Sequence, residues 1–350
     1  GEIYTETLQQ TYAWTAGTNI PIKIPRNNFI RKIRVQLIGS ISNSGTAAVT
    51  LPSAPFPYNL VQTFNLSYEG SKTLYSVSGT GLGILMYYTT KGQNPAYPAP
   101  GTSVPASGSV NLNVMWEFDL ARFPATMVQN IILSILTGQA PSGVSINASF
   151  YITITYERVT AQEILSEGGL GADGEMPLAT VLPKVIEIPT FNVPASSAPI
   201  HVAYLQPGQI YKRQLVYVIN STSGINNTDP TEYELKIVRG VPTDKIKVSW
   251  AALQAENQAE YQVAPYSGAS AIIDFRKYFN GDLDLTHAPS DSIEYDLALQ
   301  NQDNVYSLYV SYVLPYYDQL AALPAQVAAI VQQYVARQKR RIKRHHHHHH

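Results

Sequence analysis

Residues 19–44, NIPIKIPRNNFIRKIRVQLIGSISNS, have a counterpart in residues 199–224, PIHVAYLQPGQIYKRQLVYVINSTSG, at a constant offset of 180. Ile20 aligns with Ile200, Ile30 with Ile210, Lys32 with Lys212, Val35 with Leu215 and Ser42 with Thr222. Inside the first copy, Ile33, Val35 and Leu37 alternate with Arg34 and Gln36. A period of two places one set of side chains on one face of a strand. A second correspondence lies near the end of each half: FYITITY (150–156) matches YSLYVSY (306–312). Two β-rich stretches match by chance fairly often, so the order carries the weight. Both halves open and close with corresponding strands, and the chain reads as one β unit built twice.

The segments between follow the same rule. In SVNLNVMWEFDL, Val110, Leu112, Val114, Trp116 and Phe118 share a face, while Asn111, Asn113, Glu117 and Asp119 mostly take the other. EYELKI and SIEYDLAL repeat the habit. Strands with one buried face belong to antiparallel sheets packed as sandwiches. The expected fold is all-β: two tandem eight-stranded antiparallel jelly rolls, a double jelly roll. The expected boundaries are 1–170 for the first with a linking helix, 171–317 for the second, 318–344 for a C-terminal amphipathic basic helix, and 345–350 for a purification tag. Thr160 and Glu163 form a capping-box pattern for the linking helix, which Gly168 and Gly169 would end. The Pro-rich stretch 89–109 reads as a long loop of the interactive kind.

Composition narrows the function. Charged residues are 14% of the chain, against roughly 25% in a typical soluble protein, and 24 Tyr with many Ser, Thr, Asn and Gln do the surface work. Such a surface repels other copies weakly and suits broad contact with them. With no Cys there are no disulfides or thiolate sites. Outside His345–His350 only His201 and His287 remain, so no cofactor, metal or catalytic residue is expected. The N-terminus lacks a basic segment followed by an apolar core, so no signal peptide is expected. The nearest approach to a spanning helix, 320–336, is interrupted by Pro324, Gln326, Gln332 and Gln333.

The tail stands apart. Val327, Ile330, Val331, Tyr334 and Val335 fall at i, i+3, i+4, i+7 and i+8, one face of a helix. Arg337, Lys339, Arg340, Arg341, Lys343 and Arg344 follow. These six hold a quarter of the 24 Lys and Arg; the other 18 face 25 acids, giving the body a formal charge of −7. A helix C-terminus gains only about 0.3–1 kcal/mol from nearby cations, too little to explain six. A polybasic segment near anionic lipid gains about 1 kcal/mol per cation, hence about 6 kcal/mol before screening. Packaged nucleic acid would attract the same charges without sequence preference. The apolar face favours lipid.

The opening GEIYTETLQQTYAWTAGTNIPIKIPRNNFIRKIRVQL and the ending AAIVQQYVARQKRRIKR resemble the major capsid proteins of turreted icosahedral archaeal viruses, within the double-jelly-roll viral capsid family. The resemblance implies two sandwiches standing side by side, perpendicular to a shell, in homotrimers of near-hexagonal outline. It implies partners too: further copies in the lattice, other virion proteins at the vertices, an internal lipid membrane and, non-specifically, packaged double-stranded DNA. It implies no catalytic residues. Three copies of a duplicated chain supply six similar sandwiches, which lets a trimer pack like a hexamer.

The remaining features are weighed against blander readings. Asn65, Asn147, Asn220 and Asn226 head Asn-x-Ser/Thr tripeptides, glycosylation acceptors in form. Asn220 and Asn226 are preferred, in a turn-rich loop, while Asn147 is expected to be hidden in a strand. Asp282, Asp284, Asp291, Glu294 and Asp296 cluster in sequence, but their spacing does not fit an EF-hand loop. Alternation places Glu294 and Asp296 on a solvated face, so solvation is favoured over calcium. GTGLG (79–83) reads as a Gly-rich turn and not as a phosphate loop, and Trp116 as core. The rival function, a secreted carbohydrate-binding or glycoside-cleaving jelly roll, would need concave aromatics and, for hydrolysis, two facing carboxylates about 5–10 Å apart. It leaves the duplication and the basic helix without a purpose.

Overall fold

Eight strands build the first sandwich: β1 (Glu2–Thr7), β2 (Asn19–Lys23), β3 (Phe29–Asn43), β4 (Val61–Tyr68), β5 (Lys72–Ser78), β6 (Gly108–Pro124), β7 (Ile131–Thr137) and β8 (Ser145–Arg158). Helix α1 (Gly79–Thr89) lies between β5 and β6. Eight more build the second: β9 (Leu182–Val193), β10 (Ile200–Tyr204), β11 (Ile210–Asn220), β12 (Pro230–Ile237), β13 (Thr243–Ser249), β14 (Ser270–Asp274), β15 (Ile293–Leu299) and β16 (Asp303–Val313). Helix α2 (Trp250–Tyr261) lies between β13 and β14. Two-residue strands carry no label; among them Val49–Thr50 and Ser103–Val104 pair with each other. The computed structural model describes residues 1–158, 181–220, 224–225, 230–239, 243–267, 269–313 and 340. The expected linking helix, the boundary near residue 170, Asn226, the tag and, Arg340 apart, the expected basic helix lie outside the described residues.

The sheets of the first sandwich run β1-β8-β3-β6 and β5-β4-β7-β2, and those of the second β9-β16-β11-β14 and β13-β12-β15-β10. Adding eight to every label turns the first pair of sheets into the second. Each helix follows the fifth strand of its sandwich. This is a jelly roll made twice. Strand β5 then pairs in parallel with β9, Tyr75 opposite Val185 and Ser76 opposite Ile186, so one sheet of each sandwich joins into a single ten-stranded sheet.

The sequence explains the strands. On β6, Leu112, Val114, Trp116 and Phe118 are buried and pack against Ile33, Val35 and Leu37 of β3, with Ile152 and Phe150 of β8, in one core. The second sandwich has its own core, built from Val216, Val218, Tyr233, Leu235, Tyr295, Leu297 and Tyr309 among others. The first core reaches beyond its sandwich, however. It takes in Leu215, Tyr217, Ile272 and Leu308, which lie on the outer face of the β9-β16-β11-β14 sheet. Helix α1 covers that face.

Helix α1 corrects the reading of GTGLG as a turn. The segment opens a helix whose N-cap, Ser78, accepts a hydrogen bond from the Gly81 N–H at 2.8 Å. Its side chains are almost all buried, so no polar stripe marks it as helical. The glycines serve close approach. A Cβ on Gly83 would lie 2.3 Å from the Tyr58 ring, and one on Gly81 1.8 Å from Glu187 Oε1.

The repeat is also corrected at the level of side chains. Val35 stands opposite Ile152, and its sequence match Leu215 stands opposite Leu308, so the offsets bring equivalent strands together. The faces disagree: Val35 and Ile152 point into the first core, while Leu215 and Leu308 point away from the second, towards α1. A slip of one residue flips every side chain. Because β11 is apolar on both faces, alternation could not fix the register there.

Candidate functional site

Three places gather chemistry. The first is the seam between the sandwiches. Glu187 of β9 accepts hydrogen bonds from Ser78 Oγ at 3.0 Å and Tyr217 Oη at 2.8 Å, so a residue of the second sandwich meets the capping serine of a helix from the first. Burial pushes the Glu187 carboxyl above its ordinary range, and those two hydrogen bonds oppose the shift. Farther along, Tyr88 Oη lies 2.8 Å from Ser270 Oγ, Tyr87 Oη donates to the Ala264 carbonyl at 2.7 Å, and the Tyr58 and Tyr266 rings stand 5.8 Å apart. Tyrosines suit such a seam because each ring packs while its hydroxyl finds a partner. These contacts tie the two sandwiches together, and Ser78 is committed to capping α1.

The second place is one end of the molecule. Leu182 stands opposite Val313, and the parallel β5·β9 pairing sets that end level with Arg158 and Phe29 of the first sandwich. The segments before Val181 and after Val313 therefore join the body at one end. A cleft of about 460 Å³ between the sandwiches opens there, lined by Arg31, Lys32, Lys212 and Arg213 against Glu117 and Asp119. Glu117 is already bound to Arg34 at 2.7 Å. Buried Glu157 is held by Arg31 at 2.9 Å and Arg122 at 3.0 Å. Cations outnumber acids in the cleft lining. Among the described residues, the acids of the lining are Glu117 and Asp119, and Glu117 is engaged by Arg34.

The third place was not visible in the sequence. On the outer face of the β10-β15-β12 sheet, His201, Glu294 and Asp296 bring their ligand-type atoms within 4.8 Å of one another. Glu294 and Asp296 are 7% and 1% exposed, so the expectation that both are solvated is wrong. Neighbouring strands on either side close over them, as burial along all of β15 shows. The other acids of the sequence cluster do not join them. Asp282 is bound to Arg276 at 2.7 Å and Tyr312 at 2.9 Å, Asp291 to Arg239 at 2.6 Å, and Asp284 to Thr286. His201 carried no sequence signal beyond its rarity; cross-strand register with Asp296 makes it a neighbour.

The sequons sort differently from expectation. Asn147 is exposed on β8, not hidden, and Asn65 is exposed on β4. Asn220 is partly buried at the end of β11, its amide donating to Asp303 Oδ1 at 2.8 Å. Trp116 is fully buried and donates to the Gly79 carbonyl at 2.9 Å, a core residue. Among the described residues no helix is long and apolar enough to cross a membrane.

No curated protein matches the sequence. Residues 189–336 match the family model for the Sulfolobus turreted icosahedral virus 1-like major capsid protein. The fold is similar to that of the major capsid protein P2 from bacteriophage PM2, at 10% identity and a TM-score of 0.56, covering 90% of this chain and 98% of that one. It is similar also to the capsid of the virus PBCV-1, at 9% identity and a TM-score of 0.58, covering 89% and 94%.

Proposed function

Residues 189–336 match the Sulfolobus turreted icosahedral virus 1-like major capsid protein family model, and from that match and the fold we propose that the chain is a capsid protein of that kind and assembles as a homotrimer whose six sandwiches tile the shell of an icosahedral virion. The reading makes it a structural protein of the virion shell rather than an enzyme, supported by the family match over residues 189–336 and by the double jelly-roll fold. The observation that carries the trimer is the unequal treatment of two equivalent sheets. Helix α1 covers the outer face of β9-β16-β11-β14 within the chain. The equivalent face, on β1-β8-β3-β6, is open, with Ile38 and Tyr151 each 37% exposed.

Helix α2 is the counterpart of α1 and has no such sheet to cover in its own chain. It buries Trp250, Leu253, Asn257 and Tyr261, and turns Ala251, Ala255 and Ala259 outward. A stripe of small residues lets a helix approach a sheet closely. The strand edges agree. Within the chain β5 pairs with β9; their counterparts β13 and β1 are both free edges among the described residues. Exposed Lys245 and Lys247 lie on β13, and exposed Glu2 and Glu6 on β1. Repeating the internal contact between copies, α2 on the next chain's open face, closes a ring of three.

Sedimentation tests this. The parent chain is expected to run as a trimer, and Ala255→Arg as a folded monomer. A monomeric parent, or an Ala255→Arg trimer, removes the reading.

We assign the tail to the inside of the shell. Both the segment before Val181 and the tail meet the body at its cationic end, and Val327, Ile330, Val331, Tyr334 and Val335 with six cations match a lipid surface better than DNA alone. Three tails on one trimer would bind with avidity. In a flotation assay with anionic vesicles, the full chain is expected to float and one ending at Tyr317 to stay behind. Glycosylation, where it occurs, falls on exposed Asn65 and Asn147 before Asn220.

A further inference from the structure

Two buried acids on one strand share less counter-charge than buried Glu157 has to itself. Glu157 has two arginines. Glu294 and Asp296 share a single ammonium, Lys236 Nζ, which lies 2.8 Å from Asp296 Oδ2 and 4.0 Å from a Glu294 oxygen. Glu234, opposite Asp296, has Lys247 as its own cross-strand neighbour. Asp296 is 1% exposed, and its second oxygen, Oδ1, is enclosed with no hydrogen-bond partner. An enclosed carboxylate oxygen without donor or cation is expensive.

Among the described residues, an imidazole is also in reach. His201 stands opposite Asp296 on β10, its Nδ1 against Glu294 Oε2, and the ring is tilted over Tyr204 at 4.6 Å. The side chain is 45% exposed, so the cluster opens to solvent on this side. Strand β10 is the sheet edge and has a bulge between His201 and Ala203, which leaves the imidazole room to adjust.

We propose that His201, Glu294 and Asp296 form a binding site for one divalent transition-metal cation of the zinc type, which staples edge strand β10 to β15. One nitrogen and two carboxylate oxygens are the mixed donor set of that class, with ligand distances of about 2.0–2.2 Å. Calcium and magnesium prefer all-oxygen shells and have no use for the imidazole. The cation would take the enclosed Asp296 Oδ1 and supply the missing charge; Lys236 is its competitor. A short edge strand with an exposed backbone edge is the element most in need of a staple.

The test is zinc titration of a chain ending at Arg344, since His345–His350 would bind the ion themselves. Calorimetry is expected to show one zinc per chain and a zinc-dependent rise in melting temperature. His201→Ala, an exposed change that leaves the core intact, is expected to weaken binding by more than the roughly 10–100-fold typical of outer-shell substitutions. Asp296→Asn should do the same, and Lys236→Met should tighten binding by removing the competing charge. His287→Ala serves as the control and is expected to match the parent. A parent that binds no zinc, a His201→Ala chain that binds as the parent does, or loss on His287→Ala instead would each overturn the site.

Discussion

The β1-β8-β3-β6 sheet of the first sandwich and the β9-β16-β11-β14 sheet of the second have the same strand order and different surroundings. The first turns Arg34, Gln36, Ile38, Tyr151 and Thr153 to an open face, partly or well exposed. The second turns Leu215, Tyr217, Ile272 and Leu308 to α1, each at most 1% exposed. The difference shows what makes a strand alternate. Open on one side, β3 and β8 keep a period of two; covered on both, LVYVI of β11 and AII of β14 become unbroken apolar runs. A lid, not the topology, decides the pattern.

The largest expected effect breaks the comparison outright if it fails. Leu308→Ala removes a fully buried side chain beneath α1 and should cost about 2–5 kcal/mol in urea unfolding. Ile38→Ala, on the equivalent open face, should stay within about 0.5 kcal/mol when the chain is held monomeric. Equal costs would mean that the open face is covered too. A smaller loss is expected for Gly81→Ala, about 1–3 kcal/mol, because the new methyl meets Glu187 Oε1. Pairing it with Glu187→Ala should recover part of that loss, and a double-mutant cycle measures the coupling across the seam.

The smallest effect is one of pH. Burial raises the folded-state pKa of Glu187 above the ordinary 4.5, so the folded chain holds that proton more firmly than the unfolded one. The stability it contributes is complete below the ordinary value and drains away as pH climbs through the raised one. Glu187→Gln should therefore flatten part of the decline in melting temperature as pH rises above the ordinary value of 4.5. A profile parallel to that of the parent would show that the carboxyl feels no burial in the seam.

Much of the fold was legible because an open sheet writes its burial into the sequence. SVNLNVMWEFDL and FYITITY each declare which face is inside, and two offsets locate the duplication. Legibility failed where burial was two-sided. Leu215 was matched to Val35 although they face opposite ways, and GTGLGILMYYT lost its helical signature to uniform burial. The same cause hid the acids: Glu294 and Asp296 looked solvated by alternation, yet β10 and β12 fold their side chains over them. Sequence distance concealed His201, since register alone brings it to Asp296.

The lid on the second sheet also sets an order of events during synthesis. Helix α1 leaves the ribosome early, but the strands beneath it are β9, β11, β14 and β16, and β16 ends at Val313. Until then one flank of a nearly finished sandwich is bare and greasy. Nascent chains in that state are vulnerable to one another, and slow, distant pairing prolongs the exposure. Truncated products ending before Asp303 should accordingly be sticky, chaperone-bound species, a hazard that grows with how densely a cell translates this message.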